Sequence, residues 1–249
     1  METKAQIASV AKLLAGSKKI VVLTGAGISA ESGIPTFRGK NGLWKTYRAE
    51  ELATPAAFSH NPKLVWEWYN WRRTIIFPKE PNPGHKVLAE WEKIFPFFVL
   101  ITQNIDGLHQ KAGSHNILEL HGNIWRLKCL QEGTVIENHE VPLKEIPPHC
   151  PRCHALLRPD VVWFGEALPS SILHQAFRQS SQCEVMLVIG TSAVVQPAAS
   201  LPLTAAEAGA KLVEINPTST PLTPASDFSL RGKAGELLSL INEELDGLI

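Results

Sequence analysis

A glycine-rich segment contains the first residues in this sequence whose types and spacing suit ligand binding. Gly25, Gly27 and Ala30 form the pattern Gly-x-Gly-x-x-Ala directly after the apolar run at residues 20–23. Gly25 permits a tight turn, and Gly27 lets the backbone approach a ligand closely. Backbone N–H groups at such a turn form a site for a diphosphate. Taken alone, the pattern also fits a glycine-rich turn that binds nothing.

The continuation of this segment differs from that of a dehydrogenase. A dinucleotide-binding dehydrogenase has a full helix here, then a strand ending in an acidic residue about 20 positions on. In this sequence Gly33 and Pro35 end the expected helix after barely two turns, and a loop at residues 36–39 follows. Glu50 and Glu51 stand at about the right distance, but no strand-like run precedes them. The segment therefore predicts a dinucleotide site in which a loop replaces the long helix and second strand of a dehydrogenase.

Polar residues also follow the other predicted strands. Carboxyl ends of parallel strands meet at one edge of a sheet, where ligands bind in such folds. A helix N-cap role is the alternative for Asn104 and Asp106. The residues at these strand ends are Asn104, Asp106, His121, Gly190, Thr191, Ser192 and Asn216.

The elements that must position these residues alternate between strands and helices. This alternation predicts an α/β fold with a doubly wound, Rossmann-like parallel sheet. The fully apolar run Val185–Ile189 is typical of a strand covered on both faces. Strands are predicted at residues 20–23, 97–101, 117–120, 185–189 and 211–215. Helices are predicted at the amino terminus and at residues 85–93, 105–112, 172–180 and 198–208.

Two segments break the alternation and predict a smaller inserted domain. Residues 35–84 are rich in Trp, Pro and Arg around one helix at Pro62–Ile76, and residues 123–160 contain three cysteines. The predicted large domain comprises residues 1–34, 85–122 and 161–249, and the predicted small domain comprises residues 35–84 and 123–160.

Composition argues against several classes of function. The 24 basic and 24 acidic side chains give a net charge of zero, which argues against a nucleic-acid partner bound by broad electrostatics. No apolar run approaches the roughly 18–20 residues of a membrane span, and no hydrophobic signal region begins the chain. Four unevenly placed cysteines indicate a reducing compartment. We expect a cytoplasmic monomer with no membrane partner.

Several motifs together resemble those of the sirtuins, which are NAD-dependent protein deacylases. Gly-Ala-Gly-Ile-Ser, Pro-Thr-Phe-Arg-Gly, Thr-Gln-Asn-Ile-Asp, Leu-His-Gly, Val-Trp-Phe-Gly-Glu and Gly-Thr-Ser occur in the family's order. The resemblance implies a large NAD domain beside a small domain with a zinc-ribbon-like module. Thr36 replaces the family's common aspartate, as it does in one branch of the family.

The resemblance also implies which residues hold NAD. The glycine-rich segment would wrap the cofactor, Phe37 and Arg38 would lie near the nicotinamide ribose, and Asn216 would contact the adenine-side ribose. The implied NAD-binding residues are Gly25, Ala26, Gly27, Glu31, Thr36, Phe37, Arg38, Trp44, Gln103, Asn104, Ile105, Asp106, Gly190, Thr191, Ser192, Asn216 and Ala234.

By the same resemblance, His121 is the catalytic base and Asn104 a second catalytic residue. An ordinary histidine pKa of about 6.5 suits proton transfer near neutral pH. The acyl group of an acyl-lysine would move to the ADP-ribose part of NAD, releasing lysine, nicotinamide and O-acyl-ADP-ribose. The partner would be an acylated-lysine protein or peptide. Its backbone would pair with an extended edge formed by Val162, Trp163, Phe164, Gly165 and Glu166.

Tyr69 and Arg72 indicate which acyl group is removed. They are spaced i, i+3 on the helix Pro62–Ile76 and so share one face. Arginine binds a carboxylate through two parallel hydrogen bonds, to which a tyrosine hydroxyl can add a third. This pair, with the small Ala53, resembles the branch that removes succinyl, malonyl and glutaryl groups. The alternatives are an aromatic-packed helix with Arg72 in solvent, and an enzyme that is chiefly a deacetylase. Arg73 is expected on the surface.

The predicted zinc site is incomplete. Sirtuins carry two Cys-x-x-Cys pairs; here Cys150 and Cys153 form one, whereas the other reads Cys129-Leu-Gln-Glu132. Three cysteines with Glu132 could bind Zn²⁺, although structural sites ordinarily use cysteine and histidine. The alternatives are a histidine ligand (His139, His149 or His154) or no zinc. Cys183 is expected in the core.

Two other classes of function compete with the deacylase. A nicotinamide-dependent oxidoreductase is disfavoured by the lack of a ribose-binding acid after a second strand and by the loop at residues 35–39. A non-catalytic NAD or ADP-ribose binding module is disfavoured by His121.

Overall fold

The computed structural model describes residues 2–36 and 49–249, which contain two β-sheets. The strands are β1 (Lys19–Thr24), β2 (Phe97–Thr102), β3 (Ile117–Glu119), β4 (Gly122–Cys129), β5 (Val135–Glu137), β6 (Leu157–Val161), β7 (Val185–Ile189), β8 (Lys211–Ile215) and β9 (Phe228–Leu230). The larger sheet is parallel with the order β3-β2-β1-β7-β8-β9, and the smaller is antiparallel with the order β5-β4-β6.

Three of the helices begin at a residue whose side chain caps them. They are α1 (Glu2–Ala15), α2 (Ala49–Leu52), α3 (Pro55–His60), α4 (Pro62–Ile76), α5 (Pro83–Ile94), α6 (Leu108–Ala112), α7 (Ser170–Ser180), α8 (Leu201–Glu207) and α9 (Ala234–Asp246). Thr54, Asn61 and Asn82 accept N–H groups at the starts of α3, α4 and α5, and proline follows each. Across the described ranges, no helix has the length and apolarity needed to cross a membrane.

The large sheet is covered on both faces, as the apolar strands predict. Val10, Leu88 and Leu238 from α1, α5 and α9 pack in one buried cluster with alternate residues of the strands. Ala176 and Leu201, from α7 and α8, pack in a second cluster with the other strand residues. The predicted α/β Rossmann-like sheet is therefore confirmed.

The strand register brings the strand ends to one edge of the large sheet. Thr24 at the end of β1 pairs with Thr102 on one side and with Ile189 on the other. Ile189 in turn pairs with Ile215 at the end of β8. The strands therefore end side by side, and the polar residues that follow them lie along the same edge of the sheet.

The smaller sheet packs against α4. Trp66 is fully buried, and its indole Nε1 donates to the Leu157 carbonyl oxygen at 2.8 Å. Tyr69 packs in the same cluster with Leu127. Trp163 also belongs to this cluster, although the predicted boundary at residue 160 assigns it to the large domain. The two-domain division stays a prediction.

Several predicted elements differ from the structure. The glycine-rich turn leads into one 3₁₀ turn, Ala30–Ser32, ended by Gly33 at φ +79°, and not into a helix of two turns. The helix predicted at 105–112 starts at Leu108, because the Asp106 carboxylate accepts the Leu108 N–H and Gly107 adopts φ +78°. The helix predicted at 198–208 is divided into a 3₁₀ turn and α8. Strands β4, β5, β6 and β9 were not predicted.

Arg73 is buried, so its predicted surface position is wrong. Its Nη2 donates to the carbonyl oxygens of Asn138 at 2.7 Å and Glu140 at 3.1 Å. The guanidinium lies 5.1 Å from the centre of the Trp125 ring. Helical spacing could not reveal this, because the partners come from a loop more than sixty residues away.

Candidate active site

One cavity of about 1140 Å³ lies between the carboxyl edge of the large sheet and the smaller sheet. It brings together the glycine-rich turn, the strand ends and α4. The predicted site residues that line it are Gly25, Ala26, Gly27, Glu31, Thr36, Ala53, Tyr69, Arg72, Gln103, Asn104, Ile105, His121, Val162, Trp163, Phe164, Gly165, Glu166, Gly190, Thr191, Ser192, Asn216 and Ala234. Phe37, Arg38 and Trp44 lie outside the described residues.

The glycines of the first turn are needed chiefly for packing between two loops. A Cβ on Gly27 would lie 2.6 Å from the Gly190 Cα, and one on Gly25 would lie 2.8 Å from the Gly190 carbonyl oxygen. The N–H groups of Gly25 and Gly27 donate to Ile189 and Gly190 at 3.0 and 2.8 Å. These two N–H groups are therefore engaged within the protein, contrary to the expectation that they face a diphosphate.

The polar residues after β2 tie the floor of the cavity to the glycine-rich turn. Asn104 Nδ2 donates to the Gly25 carbonyl oxygen at 3.1 Å. Asp106 is buried beneath the cavity and accepts the Ser29 hydroxyl at 2.8 Å. Burial raises the pKa of Asp106, although hydrogen bonds from Leu108 and Ser29 oppose that shift. Asp106 thus caps the start of α6 and holds Ser29 in the glycine-rich turn. It is not among the residues that line the cavity, so its predicted contact with NAD stays a prediction.

Two histidines behind this floor were missed by sequence reasoning. His85 Nε2 lies 3.4 Å from the Ser29 hydroxyl, His109 Nε2 lies 3.0 Å from the Thr24 hydroxyl, and the two rings are 4.8 Å apart. Burial lowers the pKa of His85 to about 4 and the pKa of His109 well below its usual value, so both rings are neutral at pH 7. The one available signal was that His85 shares the apolar face of α5 with Leu88.

His121 is oriented by a backbone contact. Its Nδ1 lies 2.9 Å from the Gln103 carbonyl oxygen; because a carbonyl only accepts, Nδ1 carries the proton and Nε2 keeps its lone pair. Burial lowers the pKa of His121, with the Gln103 hydrogen bond working in the opposite direction. The next residue, Gly122, crosses so close to the Asp160 carbonyl oxygen that a Cβ would lie 2.1 Å from it. His121 is thus a neutral imidazole on a fixed backbone.

Tyr69 and Arg72 are buried side by side at the wall of the same cavity. The Tyr69 hydroxyl accepts the indole N–H of Trp163 at 3.0 Å. The Arg72 guanidinium lies 5.0 Å from the Trp68 ring centre and 5.8 Å from that of Tyr69. Burial lowers the pKa of Arg72, partly offset by Tyr69 and Asp106. The alternative that places Arg72 in solvent is wrong.

The predicted substrate edge is shorter than its motif. Val162 and Trp163 follow β6, whereas Phe164 and Gly165 lie in a turn. The N–H groups of Val162 and Phe164 already donate to the carbonyl oxygens of His121 and Ala53 at 2.9 Å. Glu166 holds the turn together, since its carboxylate accepts two hydrogen bonds from Arg158 and one from the Trp163 N–H.

Three cysteines form a cluster at the end of β4, whose last residue is Cys129. The sulfur atoms of Cys129, Cys150 and Cys153 all lie within 4.8 Å of one another, which suits three thiolate ligands of one zinc ion. The Glu132 carboxylate is not in this group; it lies 3.6 Å from Arg152 Nε. The three histidine candidates are likewise outside this group as far as the structure describes the chain. Cys183 is buried, as predicted.

The comparison with known proteins agrees with this geometry. The family model described as "Sir2 family" matches residues 25–197. The chain belongs to the Sir2 family. A curated sirtuin relative from Aquifex aeolicus, named NAD-dependent protein deacylase, is 55% identical over 226 residues, which cover 91% of this chain and 95% of the relative. A relative of the same name from Pyrococcus abyssi is 51% identical, with 98% of this chain and 99% of the relative covered.

Solved sirtuin structures share the whole fold. A Sir2 homolog–NAD complex superposes with a TM-score of 0.91 at 50% identity, covering 97% of this sirtuin and 94% of that chain. A Sir2 variant with a deacetylated p53 peptide and 3′-O-acetyl ADP ribose superposes with a TM-score of 0.88 at 36% identity, covering 97% and 98%.

Proposed function

We propose that this sirtuin is an NAD-dependent protein-lysine deacylase that prefers succinyl and malonyl groups. The observation that carries the proposal is a shared cavity: His121, the glycine-rich turn, Tyr69 and Arg72 all line it. The turn that suits a cofactor, the pair that suits a carboxylate and the neutral imidazole of His121 therefore all face one space.

The cavity suits NAD in size and in the chemistry of its walls. Its volume of about 1140 Å³ is slightly above the roughly 300–1,000 Å³ of ordinary small-molecule sites, as suits a dinucleotide beside an acyl-lysine. The turn at Ala26, the amide of Asn104 and the residues after β7 and β8 provide polar groups along its length. NAD, when bound, supplies the ribose carbon from which nicotinamide leaves and the hydroxyl that takes the acyl group. The names of the relatives above, and the NAD complex, support this assignment.

The role of His121 follows from its tautomer. With the proton held on Nδ1 by Gln103, Nε2 can accept a proton from a hydroxyl in the cavity. The lowered pKa keeps this nitrogen unprotonated at neutral pH. Asn104 is fixed by its bonds to Gly25 and Ser29, so its side chain is placed without rearrangement.

The acyl preference rests on the position of Arg72 beside Tyr69 at the cavity wall. A guanidinium there can bind the carboxylate of a succinyl or malonyl chain through two parallel hydrogen bonds. The adjacent Tyr69 hydroxyl, held by Trp163, can add a hydrogen bond to the same group. Acetyl-lysine offers no charge to this pair.

A direct assay tests the proposal. The protein is incubated with NAD and matched peptides bearing succinyl-, malonyl- or acetyl-lysine, and nicotinamide and O-acyl-ADP-ribose are measured. We expect turnover of all three peptides, with kcat/KM for the succinyl and malonyl peptides above that for acetyl. Equal or higher efficiency with acetyl would reject the acyl preference, and no nicotinamide release would reject the deacylase. Reduction of a nicotinamide cofactor without acyl transfer would favour an oxidoreductase instead.

Deacetylation is the second candidate. The structure with 3′-O-acetyl ADP ribose is of a relative 36% identical to this chain. Ala53, a small residue at the cavity wall, leaves room for the longer acyl chains without excluding the shorter one.

A further inference from the structure

Glu214 is a buried carboxylate that the proposed reaction does not use. It lies in β8, next to the last residue of the strand, and is 1% exposed. One carboxylate oxygen accepts the Thr220 hydroxyl, and the other accepts the hydroxyls of Thr223 at 2.8 Å and Ser229 at 2.7 Å. Three hydroxyl donors around one carboxylate form a fully satisfied polar cluster.

Arg231 joins this cluster to the loop that follows β8. Its Nη1 lies 3.0 Å from Glu214 Oε2 and donates to the Thr218 carbonyl oxygen, also at 3.0 Å. Its Nη2 donates to the Thr223 hydroxyl at 2.9 Å. The Asn216 amide donates to the same Thr218 oxygen at 2.9 Å. The loop is thus held from inside by one ion pair.

The loop fixed in this way forms a wall of the cofactor cavity. Residues 216–221 all line the cavity, whereas Glu214, Thr223, Ser229 and Arg231 do not. The carboxylate therefore contacts the loop at Thr220 but does not line the cavity itself.

The charge on Glu214 is an integral part of this arrangement. Burial alone raises the pKa of its carboxyl, but the three hydroxyl hydrogen bonds and the Arg231 charge outweigh burial and hold the pKa below its usual value. The cluster consequently needs an ionised acceptor, which a neutral residue of the same shape cannot replace.

We propose that Glu214 is a positioning residue that fixes the loop 216–221 in the conformation that receives NAD. The inference rests on one part of the proposed function, which is that the cavity binds NAD. Dehydrogenases place an acidic residue against the ribose at the end of a second strand, whereas no strand-like run precedes Glu50 and Glu51 in this sequence. Here a carboxylate on a different strand supports the cofactor through the loop instead.

The test compares Glu214→Gln with a matched control. The Gln variant keeps the side-chain volume but turns one acceptor oxygen into an NH2 donor, which meets a hydroxyl group that donates to the carboxylate in either amide orientation. Asp227→Asn is the control, because Asp227 also pairs with a cation, Lys211 at 2.7 Å, but at the opposite end of β8 and away from the cavity. Thr223→Val is the second test variant. It removes one of the hydroxyls that donate to Glu214 and leaves the carboxylate in place, and Thr223, like Glu214, does not line the cavity.

The readouts are the KM for NAD, kcat, the KM for the acyl peptide and the affinity for ADP-ribose by calorimetry. We expect Glu214→Gln to raise the KM for NAD and the Kd for ADP-ribose about tenfold, with kcat and the peptide KM changed less than twofold. Thr223→Val should shift the same two quantities by about threefold, and Asp227→Asn should leave them unchanged. Unaltered ADP-ribose affinity in both folded variants would overturn the proposal, as would an equal rise in the peptide KM. ADP-ribose binding by the unaltered protein without deacylation would instead reject the proposed function and leave this test intact.

Discussion

The Nδ1 atom of His121 lies 2.9 Å from the carbonyl oxygen of Gln103, and this contact decides which imidazole nitrogen can accept a proton. The carbonyl belongs to the residue that follows β2 by one position, so the large sheet itself sets the tautomer. A neutral ring with a free Nε2 follows from that contact and from burial together.

The pH dependence of activity should reflect the lowered pKa of His121. Because the base is active only when neutral, activity falls as the pH drops through the His121 pKa. Since burial sets that pKa below the ordinary value of about 6.5, we expect the acidic midpoint of kcat below pH 6.5. The pH profile of kcat with a saturating succinyl peptide measures it. A midpoint at or above 7 would contradict the assignment, and His121→Ala should lower kcat at least about 100-fold.

Replacing Arg72 with methionine should separate the acyl groups. The change removes the charge but keeps an apolar chain that packs on Trp68. We expect kcat/KM for the succinyl peptide to fall about 100-fold, while the acetyl value changes less than about threefold. Arg178→Met, at an exposed arginine on α7, is the control and should alter neither value. Equal loss with both peptides would show that Arg72 has a general structural role.

Zinc binding should depend on the three clustered cysteines. We expect the purified protein to contain about one zinc per chain by elemental analysis, and Cys150→Ser to lose it. Glu132→Cys, which completes the second Cys-x-x-Cys pair, should slow zinc release to a chelator, because four thiolates bind zinc more tightly than three. Cys183→Ser is the control. Equal zinc content in the Cys150 variant and the parent would contradict a zinc site here.

Loss of Arg73 should destabilise the fold. Arg73→Ala leaves the carbonyl oxygens of Asn138 and Glu140 without their donor and removes the contact with Trp125. We expect the free energy of unfolding in urea to fall by about 2–4 kcal/mol, against less than about 0.5 kcal/mol for the exposed Arg178→Ala. A loss below 0.5 kcal/mol in the Arg73 variant would show that its hydrogen bonds contribute nothing net.

The buried His85 should make stability depend on acid pH. Its pKa is about 4 when folded and about 6.5 when unfolded, so below pH 6.5 the unfolded chain binds a proton that the folded chain does not. The free energy of unfolding should therefore fall as the pH drops from 6.5 towards 4, by up to about 3 kcal/mol from this residue. Denaturant titrations at several pH values measure the slope, which His85→Gln should reduce. An identical slope in that variant would contradict the assignment.

Some features of this protein follow from the sequence by itself. The strands at Val185–Ile189 and Lys211–Ile215 were located with their correct bounds. Val185–Ile189 is a continuous apolar run, which has few alternatives to a covered strand. The motif order identified the Sir2 family. Because the strands are parallel, their carboxyl ends lie at the same edge of the sheet, and so do the polar residues that follow them.

Other features were decided only by the tertiary structure. Arg73 is buried because a loop at Asn138–Glu140 folds back over α4, which helical periodicity cannot reveal. The glycines at 25 and 27 serve contact with Gly190, a residue on another strand end. The cluster around Glu214 likewise joins residues from β8, β9 and the loops beside them. Local sequence predicts which residues can form strands and caps, but the partners of buried charges are set by contacts between distant parts of the chain.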